Sequence, residues 1–314
     1  MGIPILLDTD IGTDIDDVYA LILAATSPEL DLLGVTVVNH NVYLRAKLAR
    51  LMLDHLGCHS IPVGVGFNRA LDSKPHPGWG GYEGCGVELN ESELGDPAQY
   101  PTAGEVIDRA VQSCLERGER LTVITIGAMS NAAAFLSYQP DRAKFLAGIT
   151  AMASSFRGIG GDSAEKEHNI ACDALAAKWV FESGVPLRVV GLNVTQLTAW
   201  AVNDLEAICR SESRLARDLY GLHRVWFERI GSDRSPMHDG LAVATVFQPD
   251  LVTWEPVIPI VFMDDERRGM IEYRAGDKGA TCYIATAVDA VKFHLLLRER
   301  IEKAVRSTER IPLS

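Results

Sequence analysis

Paired cysteines are missing from this 314-residue sequence: its six cysteines are scattered and no two form a CxxC motif. That distribution excludes a dense disulfide framework and a thiolate zinc site, and it is typical of reduced thiols in a cytosolic protein. The N-terminus lacks a basic segment followed by an apolar core, and no apolar run approaches the roughly 20 residues of a membrane helix. We therefore expect a cytoplasmic protein without a membrane partner.

Positive charge is also scarce, because 30 Lys and Arg residues stand against 42 Asp and Glu residues, for a net charge of -12. Phosphate backbones and anionic membrane surfaces repel such a chain, which argues against a nucleic-acid partner and leaves small neutral or cationic ligands open. Because 47% of the residues are hydrophobic and 23% are charged, the composition is ordinary for a globular protein with a sizeable core. We interpret residues 1–314 as one α/β domain.

Short β-branched or leucine-rich runs alternate with amphipathic helical patterns through the first 200 residues. The runs are IPILL (3–7), LLGVTVV (32–38), IPVGV (61–65), LTVITI (121–126), GITAMA (148–153) and PLRVVGL (186–192). This alternation predicts a mostly parallel central sheet flanked by helices, as in a Rossmann-like open sheet.

The pattern changes in the C-terminal third. Helical patterns cover about 203–230 and begin again at Asp239, and a final helix is predicted over about 286–305. Between them, VIPIVFM, GMIEYR and TCYIAT are closely spaced and predict a small antiparallel strand set.

Polar side chains follow one predicted strand after another. Ligands of open α/β sheets bind outside the carboxyl ends of the strands, so these side chains are expected to share one edge. They are Asp8, Asp10, Asp14, Asp16 and Asp17 after the first strand, Asn39, His40 and Asn41 after the second, and Gly127, Asn131, residues 165–169 (EKEHN), Asn193 and Thr195 after later ones.

Five aspartates crowd the stretch LLDTDIGTDIDD, residues 6–17. Crowded carboxylates repel one another unless a cation is present, and hard oxygen ligands favour Ca²⁺ or Mg²⁺. The alternative is that Asp14 or Asp16 caps the following helix while the other carboxylates are solvated. Capping does not account for Asp8 and Asp10, which precede the helix, so we favour a cation site.

His238 and Asp239 form a second candidate site in SPMHDGLAVA, directly before an apolar helix. Taken alone, this stretch favours a helix-capping aspartate beside an incidental histidine. Combined with the first motif, Asp239 becomes a remote metal ligand and His238 a proton donor beside it, a role that suits a group titrating near neutral pH.

With DTDIGTDIDD near its start, HDG at 238–240 and asparagine-bearing strand ends between them, the chain resembles the inosine–uridine-preferring nucleoside hydrolases. The resemblance covers Ile3 to about Val243. It implies hydrolysis of the N-glycosidic bond of ribonucleosides to ribose and free base, a Ca²⁺ ion at the strand ends, a small-molecule nucleoside substrate and a homo-oligomer, either dimer or tetramer.

The resemblance also implies roles for the site residues. Asp10 corresponds to the metal ligand that is also the general base for the bound water, Asp17 to the bidentate ligand and Asp239 to the third carboxylate. The main-chain carbonyl of Ile126 corresponds to the fourth protein ligand, and His238 to the residue that protonates the leaving base.

The resemblance implies substrate contacts in the same way. Asp14, by contrast, has no clear counterpart in the commoner DTDPGxDD motif of the family. Trp79, Tyr82 and Phe156 are candidates to stack on the base. The residues that match sugar-binding positions are Asp16, Asn41, Glu167 and Asn169 for the ribose hydroxyls, Met152 for the wall of the sugar pocket, and Asp162 in place of a family asparagine.

Two rival functions remain open. LLDTDIGT nearly reproduces the DxDGT motif of haloacid-dehalogenase-type phosphatases, and Asp264 with Asp265 offers a late Mg²⁺ pair, but the glycine comes one residue late and no basic phosphate pocket is evident. A non-catalytic Ca²⁺-dependent sugar or nucleoside binder would share the carboxylates. The presence of both Asp10 and His238 argues against that third class.

Overall fold

The computed structural model describes residues 2–74, 80–89, 99–160, 166–264 and 266–308. Their strands are β1 (Ile3–Thr9), β2 (Leu30–Val37), β3 (Val63–Val65), β4 (Leu121–Thr125), β5 (Leu146–Met152), β6 (Leu187–Val190), β7 (Ala199–Ala201), β8 (Arg234–Pro236), β9 (Val252–Val261), β10 (Ile271–Ala275) and β11 (Cys282–Val288). Their helices are α1 (Asp16–Thr26), α2 (Val42–His55), α3 (Ala103–Glu116), α4 (Ser130–Tyr138), α5 (Pro140–Ala143), α6 (His168–Cys172), α7 (Ala174–Phe181), α8 (Leu192–Thr195), α9 (Val202–Ile208), α10 (Arg214–Ile230), α11 (His238–Phe247) and α12 (Ala290–Thr308).

Across these ranges nine strands form one sheet, in the order β10-β9-β11-β6-β5-β4-β1-β2-β3. The six strands from β1 to β6 are parallel to their neighbours, so the predicted parallel sheet is confirmed. The predicted antiparallel set is confirmed too, because β9 pairs antiparallel with both β10 and β11. It is not a separate layer, since β11 also pairs parallel with β6 and so extends the central sheet.

Two helix boundaries differ from the sequence expectation. The helical region predicted over about 203–230 is divided into α9 and α10, and α10 starts where the Ser213 side chain accepts a hydrogen bond from the Ala216 amide. The last helix begins at Ala290 rather than near 286, because the chain stays in β11 as far as Val288.

Both faces of the central strands are covered, which explains why β1 reads as a nearly continuous apolar run. Helix α1 is buried on all sides from Asp16 to Ala24 and packs against α11. This packing brings the N-termini of α1 and α11 together beside the carboxyl end of β1. In the part of the chain that the structure describes, no helix is both long and apolar enough to span a membrane.

Candidate active site

The aspartate loop, defined here as residues 10–15, connects β1 to α1. Asp16 and Asp17 occupy the first turn of α1 and are buried, a position where a carboxylate also interacts favourably with the helix dipole. The N-cap position belongs to Ile15, no side chain caps the helix, and the Asp14 carboxylate instead accepts from the adjacent Ile15 amide at 2.7 Å. The interpretation of Asp14 or Asp16 as the cap of α1 is therefore wrong.

Asp239 lies in the first turn of α11 and joins this cluster. One carboxylate oxygen from each of Asp16, Asp17 and Asp239 lies within 4.8 Å of the other two, a geometry that fits a metal ion. No side chain caps α11 either, and the Asp239 amide donates to Oδ2 of Asp16 at 3.0 Å. Asp10, expected as a ligand, lies outside this group of three, whereas Asp16, expected to hold the sugar, is one of its members.

Burial makes this cluster electrostatically costly without a cation. It is the main cause that raises the pKa of Asp16, Asp17 and Asp239 well above the usual range, and the neighbouring carboxylates raise those pKa values further. The Thr9 hydroxyl opposes the effect at Asp17, to which it donates a hydrogen bond of 2.5 Å. A divalent cation would remove the conflict by stabilising the ionised forms.

Asp8 supports the site from below. Its Oδ1 accepts hydrogen bonds from Thr36 at 2.6 Å and from the Asn131 amide at 2.7 Å, and burial raises its pKa to about 7. Asn131 also binds the backbone of Val37 and Phe67, so the ends of β1 and β2 are tied to one carboxamide.

The Asn169 side chain connects the next two strand ends. Its amide nitrogen donates to the carbonyl oxygens of Ile126 at 2.9 Å and Met152 at 3.0 Å. A carbonyl oxygen has two lone pairs, so the Ile126 carbonyl keeps one for a cation.

Glu167 is held in one orientation by the backbone. Its carboxylate accepts from the amides of Asn169 and Ile170 at the start of α6, and from the Ser154 amide at 3.1 Å. Ser154 has a φ of 72°, a left-handed conformation that is uncommon for a non-glycine residue. Burial raises the pKa of Glu167.

His238 lies beside the carboxylates at the start of α11. Its Nδ1 is 2.6 Å from the Thr195 hydroxyl, and burial lowers its pKa to about 4. The ring is therefore neutral at pH 7 and carries one N–H.

These residues converge on a cavity of about 220 Å³. Its lining consists of Asp10, Thr13, Asp14, Asp16, Asp17, Ile126, Met152, Lys166, Glu167, His168, Asn169, Leu192, His238 and Asp239. Nine of the eleven site residues proposed from the sequence are in this lining, although they come from five separate parts of the chain.

Asn41 is not part of this lining. Asn41 caps α2 by accepting from the Leu44 amide at 3.2 Å, and it lines a separate cavity with Glu83. Asp162 lies outside the described residues, as do Trp79 and Asp265.

Two of the three proposed stacking residues, Tyr82 and Phe156, also lie elsewhere. The Tyr82 ring has the Arg229 guanidinium 4.1 Å from its centroid, and Phe156 packs edge-on against Tyr273. Neither Tyr82 nor Phe156 lines the cavity of the carboxylates.

Sequence reasoning overlooked several lining residues, of which His168 is the most chemically active. Its Nε2 lies 4.0 Å from Oδ2 of Asp10 and 3.4 Å from Sγ of Cys172. The sequence carries a signal for it, because His168 belongs to the polar run EKEHN that is predicted to lie on this edge of the sheet.

Comparison with known proteins agrees with this geometry. The family model described as inosine-uridine preferring nucleoside hydrolase matches residues 5–294. The chain belongs to the inosine-uridine preferring nucleoside hydrolase family. In this nucleoside hydrolase family member, Asp264 of the rival phosphatase pair does not line the cavity and instead forms an ion pair with Arg267.

Relatives within the family carry different base preferences in their names. The chain is 34% identical to the non-specific ribonucleoside hydrolase RihC of Escherichia coli (strain SMS-3-5 / SECEC) over 268 residues, covering 82% of this chain and 83% of RihC. It is 30% identical over 260 residues to the pyrimidine-specific ribonucleoside hydrolase RihA of E. coli O9:H4, covering 81% and 82%. The purine-preferring ribonucleoside hydrolase from Gardnerella vaginalis has a similar structure, with a TM-score of 0.80, 25% identity and coverage of 96% of this chain and 99% of that one.

Proposed function

We propose that this protein hydrolyses the N-glycosidic bond of ribonucleosides to ribose and free base, with Ca²⁺ as its metal. The observation that carries the proposal is that Asp16 and Asp17 meet Asp239, more than 220 residues later in the chain, at one cavity in a member of this family. RihC and RihA, named as ribonucleoside hydrolases, support the choice of substrate class. Their different preferences leave the base open.

The metal would be held by Asp10, Asp17, Asp239 and the Ile126 carbonyl, an all-oxygen set that suits a hard cation. Bound Ca²⁺ would supply Lewis acidity and a clamp for sugar hydroxyls. Because Asp16 rather than Asp10 completes the close group of three carboxylates, the ligand set needs its own test. Calcium titrations of Asp10→Asn and Asp16→Asn, monitored by calorimetry, will distinguish a ligand from a sugar contact.

Cleavage of the ribosidic bond builds positive charge on the sugar and negative charge on the departing base. Asp10 would accept the proton of the attacking water, and the surrounding carboxylates would stabilise the developing charge on the sugar. His238, neutral but with one N–H, would donate a hydrogen bond that stabilises the negative charge developing on the leaving base, and the base would take its proton from solvent. Asp16, Glu167 and Asn169 would hold the ribose hydroxyls, with Met152 as a wall, while Asn41 and Asp162 remain proposed sugar contacts.

Reducing-sugar release from a panel of purine and pyrimidine ribonucleosides is the direct test. We expect turnover that is lost on chelation and restored by Ca²⁺. Phosphate release from p-nitrophenyl phosphate would instead favour the phosphatase, and nucleoside binding without turnover would favour the non-catalytic binder. A homo-oligomer and a cytoplasmic location remain expectations from the resemblance and from the composition, and so does a single domain over 1–314.

A further inference from the structure

Arg45, on α2, is a fully buried cation that points toward the aspartate loop. Its Nε donates to the Asn39 carbonyl at 2.8 Å, and one terminal nitrogen donates to the Ile11 carbonyl at 2.8 Å and contacts the Thr13 hydroxyl at 3.5 Å. One guanidinium therefore binds the loops that follow β1 and β2. A planar guanidinium can reach both at once because its five N–H groups have a fixed geometry.

The same side chain forms a buried ion pair with a third loop. Its other terminal nitrogen lies 3.6 Å from Oε1 of Glu83, with side-chain exposures of 0% and 3%. Glu83 also accepts from the Gly81 amide at 3.0 Å, which fixes its carboxylate.

This third loop rests directly on the aspartate loop. The Gly84 amide donates to the Gly12 carbonyl at 3.3 Å. Gly12 has a φ of 110°, and a Cβ there would lie 3.1 Å from the Leu48 side chain and 3.3 Å from the Gly84 nitrogen. The loop is thus closely packed between α2 and the segment around Glu83.

Arg45 also matters electrostatically. Burial and the charge of Asp10 raise the pKa of Asp17, and Arg45 is one of the groups that lower it. Positive charge close to a cation site would by itself weaken cation binding. A variant that keeps this charge therefore isolates the effect of the positions that Arg45 imposes on the loop.

We propose that Arg45 is a positioning residue that holds the Ile11–Thr13 backbone so that the Asp10 and Asp17 carboxylates are arranged for the metal before it binds. The inference rests on the proposed function for its link to turnover. Arg45 does not line the cavity, so it acts through the loop rather than on the substrate. Residues that orient metal ligands typically change metal affinity about 10–100-fold when mutated.

Arg45→Lys is the informative variant, because it keeps the charge and the aliphatic stem but cannot reach both carbonyls. Arg50→Lys is its matched control. Arg50 lies on the same helix and donates to the carbonyls of Ile61 at 2.7 Å and Cys58 at 2.8 Å, and it does not contact the aspartate loop.

The first readout is calcium affinity, measured by calorimetry on chelator-stripped protein. We expect Arg45→Lys to bind Ca²⁺ about 10-fold or more weakly, and Arg50→Lys to bind it as the wild type does. The second is amide hydrogen exchange of the metal-free protein, where residues 10–15 should exchange faster in Arg45→Lys only. The third is kinetics, where Arg45→Lys should lower kcat more than it raises KM.

Unchanged calcium affinity and unchanged exchange in Arg45→Lys would overturn the inference, and so would equal losses in the two variants. Should Arg45→Lys fail to fold, Arg45→Gln decides through the same readouts. That variant removes a repelling charge but also removes a group that lowers the pKa of Asp17, so the amide exchange of residues 10–15 is then the deciding readout. Failure of the proposed function would appear in the wild type, as no turnover, whereas failure of this inference appears only in the comparison of variants.

Discussion

The backbone amide of Asp239 donates a hydrogen bond of 3.0 Å to the carboxylate of Asp16, although 223 residues separate them in the chain. The contact joins the first turns of two helices, α1 and α11, which pack against each other and have no side-chain cap. An uncapped first turn leaves backbone N–H groups available, and here one of them binds a neighbouring carboxylate. The helix pair therefore orients the acidic cluster as well as burying it.

Asp10→Asn should abolish most turnover. The amide keeps the volume of the carboxylate but cannot accept the proton of the attacking water, so kcat is expected to fall on the order of 10²–10⁴-fold. Asp14→Asn is the control, because Asp14 lines the same cavity without an assigned role. Equal losses of kcat in the two variants would show that Asp10 contributes only negative charge.

His238→Ala should slow natural ribonucleosides by about 10²–10⁴-fold in kcat while leaving p-nitrophenyl riboside within a few-fold of wild type. The activated leaving group departs without protonation, whereas a purine or pyrimidine needs a donor. Thr195→Val, which removes the 2.6 Å partner of the ring, should give a smaller loss in the same direction. If both substrate types slow equally in His238→Ala, the histidine is not the donor to the leaving base.

Removal of the metal should destabilise the protein more at higher pH. Burial raises the folded-state pKa of Asp8 to about 7 and of Asp14 to about 6, and raises those of Asp16, Asp17 and Asp239 as well. Groups with raised folded pKa values stabilise the fold fully below the unfolded value near 3.8, and that contribution is lost as pH rises through about 6 to 7. Calcium competes with these protons, so it should replace the lost stability.

The measurement is the difference in Tm between calcium-loaded and chelator-treated protein from pH 5 to pH 8, which should widen with pH. His223 and His238, whose pKa values burial lowers to about 3 and about 4, act in the opposite sense. The stability that these two histidines contribute falls as pH drops below about 6.5. It is present in both the calcium-loaded and the chelator-treated protein, so it largely cancels in the Tm difference. A gap that narrows as pH rises would contradict a calcium site built from these carboxylates.

Asn131→Ala should lower the free energy of unfolding by about 1–3 kcal/mol, measured by denaturant titration. The change leaves the buried Asp8 carboxylate and the Phe67 amide without one partner each. Asn193→Ala is a suitable control, since it removes a single bond to the Ala285 carbonyl from a half-buried side chain. Equal destabilisation by the two changes would contradict a particular role for Asn131 in joining the ends of β1 and β2.

Local sequence was sufficient for much of the fold because strands and helices differ in apolar period. The runs that became β1 to β6 were all visible, and so was the antiparallel set. The attachment of β11 to β6 was not, because pairing between strands distant in sequence leaves no local pattern. For the same reason, the two-stranded β7–β8 pair was overlooked.

The order of polar residues along the chain, by itself, determined which edge of the sheet would carry the site and that hard oxygen ligands would gather there. It could not decide how five neighbouring aspartates divide their roles. Their side chains differ in the direction in which they point, and that direction is set by the folded backbone of the loop. The tertiary structure placed Asp16 and Asp17 against Asp239, left Asp8 beneath them as support, and turned Asn41 to the cap of α2. It also buried Arg45 behind the loop, a contact that forms only when α2 packs against β2 and β3 and that no linear motif records.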